Sequence, residues 1–230
     1  NPDAVDWTAK DYIQFQNWTY ADAFNQYLYA EIIRFSGKIH YETVDIPPLN
    51  FFENNTTVPQ KLFTRIAKKI FKNFCRLPPN RMNRVVFVKS YIKPLELARL
   101  QISLGQCPSP YLPEVNTKSF PISTIMRQRV KIGGSSTIFE TLLQRMVPSL
   151  LPTVYVEGYQ DMHQRGLASL PGRPKVIYTT NALYAEEGFK FWSAWHTTRG
   201  TKLVTSQHGG HYGLAKWSSQ EKHEIKVADR

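Results

Sequence analysis

Residues 205–213, TSQHGGHYG, place two histidines around a pair of glycines directly after the stretch KLV at 202–204. Because they lack side chains, Gly209 and Gly210 allow backbone N–H groups to approach phosphate oxygens closely. The imidazole of His208 can donate to the same oxygens or carry a proton. The segment therefore predicts a site for an anionic group, such as a diphosphate or a phosphodiester leaving group.

Polar residues also follow other runs that are typical of strands. Glu157 comes after TVYV, Asn181 after VIYTT, and Lys89 just past RVVFV. Because ligands of parallel sheets bind beyond the carboxyl ends of the strands, we expect these side chains near His208. Glu157 would deprotonate an acceptor hydroxyl, provided that burial raises its affinity for a proton. The alternative is that His208 packs against the helix predicted at 184–199 and only holds its loop.

The segments that would position these residues alternate between strand and helix patterns. Strands are predicted at 84–91, 153–159, 173–182 and 200–208. Between them lie helical patterns, one ending at Gly105 and one closing at Gly200. This alternation predicts an α/β protein with a parallel, Rossmann-like sheet. Aromatic residues at spacings of three and four predict one or two helices within 7–35, with the aromatic stripe in the core.

Three regions follow from this pattern. Residues 1–105 form a helix-rich N-terminal region that includes a basic patch and the first α/β unit, and 106–134 form an irregular, proline-rich connection. Residues 135–230 form the α/β lobe predicted to bind a donor. With 230 residues, of which 42% are hydrophobic, the chain can build a substantial core.

The net charge of +11 is concentrated in one segment. Residues 60–100 hold eleven basic residues and one acidic residue, an excess of ten. After a Pro- and Asn-rich loop at 43–59, the pattern at 59–76 predicts a basic amphipathic helix. Such a helix lies on an anionic membrane surface or, alternatively, is a domain helix with a solvated charged face. The patch predicts an anionic partner, which is a membrane surface, a phosphate-bearing ligand or a nucleic acid.

Several classes of protein are disfavoured by what the sequence lacks. It contains neither a Walker loop nor a dinucleotide fingerprint, which argues against an ATPase and a dehydrogenase. No run of eighteen apolar residues and no signal-peptide pattern occurs. Cys75 and Cys107 lie far apart, so we interpret them as ordinary thiols in a reducing cytoplasm. No metal and no cofactor is predicted.

The string TNALYAEEGFKFWSAWHTTRGTKLVTSQHGGHYG, followed by SSQEKHEIKVADR, resembles the surface-polysaccharide (O-antigen) transferase family. The shared features are a QHGG-x-YG element after a strand and a later E-x-x-x-x-D-R stretch. The resemblance implies a bacterial, cytoplasmic transferase, peripheral at the inner face of the membrane, with the two-lobed GT-B architecture. Members of that family are longer at both ends, so a partial chain with an incomplete donor site is expected.

Joined with the residue patterns, the resemblance gives a set of candidate site residues. The predicted catalytic residues are His208 and Glu157. The predicted donor phosphate-binding residues are Lys89, Asn181, Gln207, Gly209, Gly210, His211, Tyr212 and Gly213.

Three functions of different kinds remain open from the sequence. The leading one is a glycosyltransferase that moves a sugar from a nucleotide-activated donor to a membrane-associated lipopolysaccharide, O-antigen or capsule acceptor. The second is a polyol-phosphate transferase of the CDP-glycerol type. The third is a non-enzymatic module that binds anionic glycan or nucleic acid, although no RNP, zinc-finger or helix-turn-helix pattern supports nucleic acid.

Overall fold

The computed structural model describes most of the chain. The described residues are 6–37, 39–42, 44, 82–109, 111, 115–134, 137–210 and 212–229. Most of the loop predicted at 43–59, the basic helix predicted at 59–76, Cys75 and His211 lie outside them.

Helices and strands in the described residues are numbered here in chain order. The helices are α1 Tyr12–Thr19, α2 Asp22–Ser36, α3 Pro94–Ser103, α4 Thr124–Gln128, α5 Ile138–Leu150, α6 Tyr159–Ser169, α7 Ala182–Ala185, α8 Glu187–Thr197 and α9 Ser219–Val227. The strands are β1 Val85–Val88, β2 Val176–Thr179 and β3 Lys202–Thr205. A 3-10 turn spans Thr153–Tyr155.

The chain divides into two compact units, each built from two stretches of sequence. The first consists of Asn1–Val58 and Thr117–Tyr159, and the second of Pro59–Asn116 and Gln160–Arg230. These boundaries differ from the predicted regions 1–105, 106–134 and 135–230. The predicted connection at 106–134 contains the short helix α4.

The first unit is helical and has an aromatic core, as the N-terminal pattern predicted. Asp11 begins α1 by accepting a hydrogen bond from the Gln14 N–H, which satisfies one of the free amides of the first turn. The rings of Trp7 and Trp18 meet edge to face with centroids 5.5 Å apart, and Phe24 is fully buried against Trp7. Edge-to-face contacts of this kind add to the free energy of burial.

The prediction of a strand at 153–159 is wrong. The chain forms the 3-10 turn there, and two of its amides bond to the N-terminal segment: Thr153 N–H donates to the Ala9 carbonyl and Val154 N–H to the Lys10 carbonyl. Val154 is fully buried. The apolar, β-branched sequence is therefore explained by burial of a turn, since β-branched residues suit any well-packed site as well as a strand.

The second unit contains a parallel three-stranded sheet with the order β1-β2-β3. Val86 lies opposite Ile177, which lies opposite Leu203, and all three are buried in one core. Tyr111 adds an isolated parallel bridge to Val88. The α/β class and three of the four predicted strands are thereby confirmed.

Helix α8 connects β2 to β3 and supplies much of this core. Phe189 and Trp192 are fully buried, and the Trp192 indole N–H donates to the Pro171 carbonyl at 2.9 Å. The helix closes at Gly200, whose φ of +90° is a conformation that favours glycine. Gly166 permits close packing of α6 against α8, because a Cβ at this position would lie 2.8 Å from the carbonyl oxygen of Gly188 in α8.

Among the described residues, no helix combines the length and the apolar character needed to cross a bilayer. In the same part of the chain, no group of three or more His, Cys, Asp or Glu side chains is arranged to hold a metal ion.

Candidate functional site

Thr180 links the carboxyl ends of all three strands. Its hydroxyl donates to the Ser90 carbonyl after β1 at 2.9 Å and lies 2.8 Å from the Ser206 hydroxyl after β3. Thr180 is itself buried at the end of β2. The strand ends therefore form one edge at which their loops start, as expected for the ligand-binding edge of a parallel sheet.

Lys89 and Asn181 lie at this edge, where the sequence predicted them. The Lys89 ammonium is paired with the Glu186 carboxylate, and the Asn181 amide donates to the Tyr91 hydroxyl at 2.6 Å. Lys89 and Tyr91 have φ values of +47° and +57°, which are uncommon for residues with side chains. The positive charge of Lys89 is thus partly balanced by a neighbour.

His208 lies at the centre of a hydrogen-bonded cluster that joins the loop after β3 to α9. Its Nε2 lies 2.9 Å from Glu224 Oε1, 2.9 Å from the Tyr212 hydroxyl and 3.0 Å from Gln220 Nε2. The side chain of His208 is 10% exposed and that of Glu224 is 5% exposed. A histidine so enclosed by polar partners is fixed in orientation.

The Glu224 carboxylate determines the proton positions in this cluster. A carboxylate only accepts, so the proton of the neutral imidazole is assigned to Nε2 and the lone pair to Nδ1. A half-turn of the Gln220 amide then presents its oxygen to this N–H. The Tyr212 hydroxyl donates to Glu224 Oε2 at 2.8 Å. Burial, followed by the bond to Glu224, raises the pKa of Tyr212, which therefore remains a donor.

The glycines of the loop have different surroundings. Gly213 has a φ of +71°, and its N–H donates to the Glu221 carboxylate in the first turn of α9. The Gln207 amide donates to the Gly209 carbonyl at 2.6 Å. Within the described residues, the N–H groups of Gly209 and Gly210 have no hydrogen-bond partner. A Cβ on Gly210 would meet no atom within 4 Å, so there is open space beside this backbone.

Helix α9 and the residue Asp229 just after it hold β3 at both of its ends. Glu221 and Glu224 bind the loop that follows the strand, whereas Asp229 binds its start. The Asp229 carboxylate accepts from the Lys202 ammonium at 2.7 Å and from the Leu203 N–H at 2.8 Å. These bonds, led by that from Lys202, lower the pKa of Asp229. The position of His208 therefore depends on the docking of α9.

The model of the LIC12162 family transferases matches residues 1–230. The chain belongs to this family. It is accordingly a transferase and an enzyme. No curated protein and no solved structure matches it significantly.

In this transferase the second predicted catalytic residue, Glu157, has a different environment. It lies in the first unit, after the 3-10 turn, whereas His208 lies in the second. Arg127 donates through Nε and Nη2 to both oxygens of Glu157, at 2.7 and 2.9 Å, and the Ser123 N–H donates to one of them. Arg127 Nη1 also bonds to three carbonyls at the end of α5.

The proton affinity of Glu157 follows from these contacts. Burial acts to raise its pKa, but the bonds from Arg127 and Ser123 outweigh burial and lower the pKa below the ordinary value. The condition under which Glu157 was predicted to act as a base is therefore not met. In the structure its carboxylate fastens α4 to the end of α5 through Arg127.

Sequence reasoning missed the partners of His208. Both lie in the string SSQEKHEIKVADR, in which Glu224 was noted only as the acidic residue of the E-x-x-x-x-D-R stretch and Gln220 was not singled out. The available signal was their spacing of four, which places both on one face of a helix that begins after Ser218. Ser218 accepts from the Glu221 N–H and so marks the helix start.

Proposed function

We propose that this transferase is a glycosyltransferase that moves a sugar from a nucleotide-activated donor to a lipopolysaccharide, O-antigen or capsule acceptor. The observation that carries the proposal is the contact between His208 and Glu224, in a loop with two glycine N–H groups that lack described partners. A histidine backed by a carboxylate suits proton removal from a hydroxyl. Free glycine amides suit a phosphate-bearing leaving group.

The proposed reaction uses the two features in one step. His208 Nδ1 takes the proton of the acceptor hydroxyl, and the acceptor oxygen forms a bond to the anomeric carbon. The bond between that carbon and the phosphate oxygen breaks, and its electron pair leaves with the nucleotide. Glu224 stabilises the imidazolium that forms, while the N–H groups of Gly209 and Gly210 stabilise charge on the departing phosphate. General-base catalysis of this kind contributes roughly 10²–10⁴-fold in rate.

Exposed apolar residues beside the loop support a membrane-associated acceptor. Leu214 and Trp217 are 83% and 65% exposed, and Lys222 places its ammonium 5.6 Å from the centre of the Trp217 ring. Lys216 lies between them in the sequence. Tryptophan and lysine side chains together favour the headgroup region of an anionic bilayer. We propose that this segment, 214–217, contacts the cytoplasmic face of the membrane that carries the acceptor.

A panel of nucleotides in a thermal-shift assay tests the proposal. UDP, GDP, CDP, CMP and their sugar conjugates are added to the full chain, with CDP-glycerol as a further compound. We expect one nucleotide series to raise the melting temperature, and His208→Ala to retain that response, because the imidazole acts on the acceptor hydroxyl. No response to any nucleotide would contradict a nucleotide-activated donor and favour the binding module.

The panel also separates sugar transfer from polyol-phosphate transfer, since free glycine amides would equally hold a phosphodiester. A response to CDP-glycerol and CMP is followed by incubation with CDP-glycerol and, separately, with CMP-N-acetylneuraminate. Release of CMP from the sugar conjugate alone supports glycosyl transfer. Release of CMP from CDP-glycerol alone favours the polyol-phosphate transferase instead.

A further inference from the structure

A cavity of about 240 Å³ opens beside the carboxyl end of β1 in the second unit. Helix α3 forms one wall, and the segment that bridges to Val88 forms another. Its lining is largely apolar and includes Phe87, Tyr91, Leu97, Gln101, Ser109 and Tyr111. Pockets for whole drug-sized ligands are usually larger, so a cavity of this volume suits a single ring system.

Ser109 is the unusual member of this lining. It is fully buried, and its hydroxyl has no hydrogen-bond partner among the described residues. Its backbone is held by a buried glutamine: the Ser109 N–H donates to Gln101 Oε1 at 3.0 Å, and Gln101 Nε2 donates to the Ser109 carbonyl at 3.1 Å. Buried hydroxyls are nearly always paired in folded proteins, so this one can pair with a ligand once its side chain turns from its enclosed position toward the cavity.

We infer that this cavity binds the nucleobase of the activated donor, with the Ser109 hydroxyl bonded to the edge of the base. Phe87, Tyr91 and Tyr111 supply aromatic faces, on which bases stack. A hydroxyl can form a hydrogen bond with the nitrogen and oxygen atoms on the edge of a nucleobase. A polyprenyl chain would fill the same apolar space but would leave the hydroxyl unpaired.

The position of the cavity fits the remainder of a nucleotide. Ser90 lines the cavity, and its carbonyl is bonded to Thr180, whose hydroxyl also contacts Ser206 before the histidine loop. The cavity and that loop thus lie at the same edge of the sheet, at β1 and β3. Two strand spacings separate them, about 10 Å. Ribose and phosphates would extend along this edge toward Gly209, so the inference rests on the proposed function.

Two pairs of variants of the full chain test the inference. Ser109→Ala removes the hydroxyl, and Ser103→Ala is its control on the exposed side of α3. Ala98→Phe fills the cavity from α3, and Leu95→Phe adds the same ring at an exposed position of that helix. Binding of uridine, cytidine, adenosine and guanosine is measured by calorimetry, together with inorganic pyrophosphate and the melting temperature of each variant.

We expect at least one nucleoside to bind. Ser109→Ala should weaken that binding about fivefold to tenfold, the loss of one hydrogen bond, without lowering the melting temperature. Ala98→Phe should abolish nucleoside binding while pyrophosphate binding and both controls remain unchanged. The inference would be overturned if no nucleoside bound. It would also be overturned if Ser109→Ala and Ala98→Phe both bound nucleoside as tightly as the natural protein. Binding of polyprenyl phosphate without binding of any nucleoside would overturn the base assignment as well.

The two proposals can fail separately in this experiment. If Ala98→Phe still turns over a nucleotide-sugar normally, the cavity is not the base site although sugar transfer stands. If nucleosides bind in the cavity and respond to both variants, the base site stands even when no nucleotide-sugar is turned over.

Discussion

His208 Nε2 lies 2.9 Å from Glu224 Oε1, and the two residues are separated by sixteen positions in the sequence. The carboxylate is almost fully enclosed and also accepts from Tyr212, so both of its oxygens are used in the cluster. Such a carboxylate orients an imidazole by accepting from its N–H. This relationship holds Nε2 of His208 against α9 and fixes the orientation of the imidazole ring.

Replacing Glu224 by Gln should weaken this arrangement while preserving its shape. The amide cannot stabilise an imidazolium as a carboxylate does, so we expect kcat to fall about tenfold to a hundredfold. The exposed Glu96→Gln is the matched control. A kcat equal to that of the natural protein would contradict a role of Glu224 through His208.

His208→Ala should remove the proposed base. We expect kcat to fall by roughly a hundredfold or more, with little change in donor affinity. His223→Ala, at an exposed neighbouring position on α9, should leave kcat unchanged. If His208 only holds its loop, its replacement will lower the melting temperature sharply while the folded protein keeps its specific activity.

The buried Arg127 and Glu157 pair should be a determinant of stability. Glu157→Gln leaves the Arg127 charge uncompensated, which costs about 3–5 kcal/mol for a buried pair at neutral pH. Because the folded pKa of Glu157 is lowered, this contribution is complete above its ordinary value of 4.5 and is lost as the pH falls through the folded value.

Urea unfolding at pH 7 and pH 3 measures this contribution. The difference between the natural protein and Glu157→Gln should be large at pH 7 and smaller at pH 3, while the exposed Glu42→Gln should show no difference. The folded variant should keep its specific activity. A stable variant that binds donor normally but transfers slowly would instead restore the catalytic role predicted from the sequence.

The exposed segment 214–217 should contribute to membrane contact. Replacing Leu214 and Trp217 by Ser removes two large apolar side chains, each worth on the order of 1.5–3 kcal/mol when fully buried. Sedimentation with anionic phospholipid vesicles should fall by tenfold or more. The control replaces Leu95 and Ile102, two exposed apolar residues of α3, by Ser. Equal losses in both proteins would indicate non-specific adsorption.

Much of the sheet could be predicted because short β-branched runs alternate with helical patterns. The run at 153–159 has the same composition, yet its amides bond to Ala9 and Lys10, about 140 residues earlier in the chain. A local pattern reports that a segment is buried, whereas the partner of its backbone depends on the tertiary fold. The same limit applies to Lys89, whose charge is balanced by Glu186, 97 positions away.

The candidate site was predicted in part for a related reason. The glycine loop is a contiguous segment, so its chemistry is visible in the residues themselves. The carboxylate that orients His208 lies on a separate helix, and its contact requires α9 to dock against β3. Glu157 appeared equivalent to the other residues after strands because its preceding run resembled a strand, and its arginine partner lies thirty positions earlier.

The attachment of α9 and the adjacent Asp229 to the two ends of β3 has an evolutionary consequence. Since Glu224 meets His208 while Asp229 meets Lys202, substitutions at 208 and 224 should occur together among related sequences, as should those at 202 and 229. An insertion within α9 would turn one acidic residue away from its partner by about 100°. Insertions and deletions should therefore occur in 214–217, outside the helix. We expect related sequences to differ most in this exposed segment.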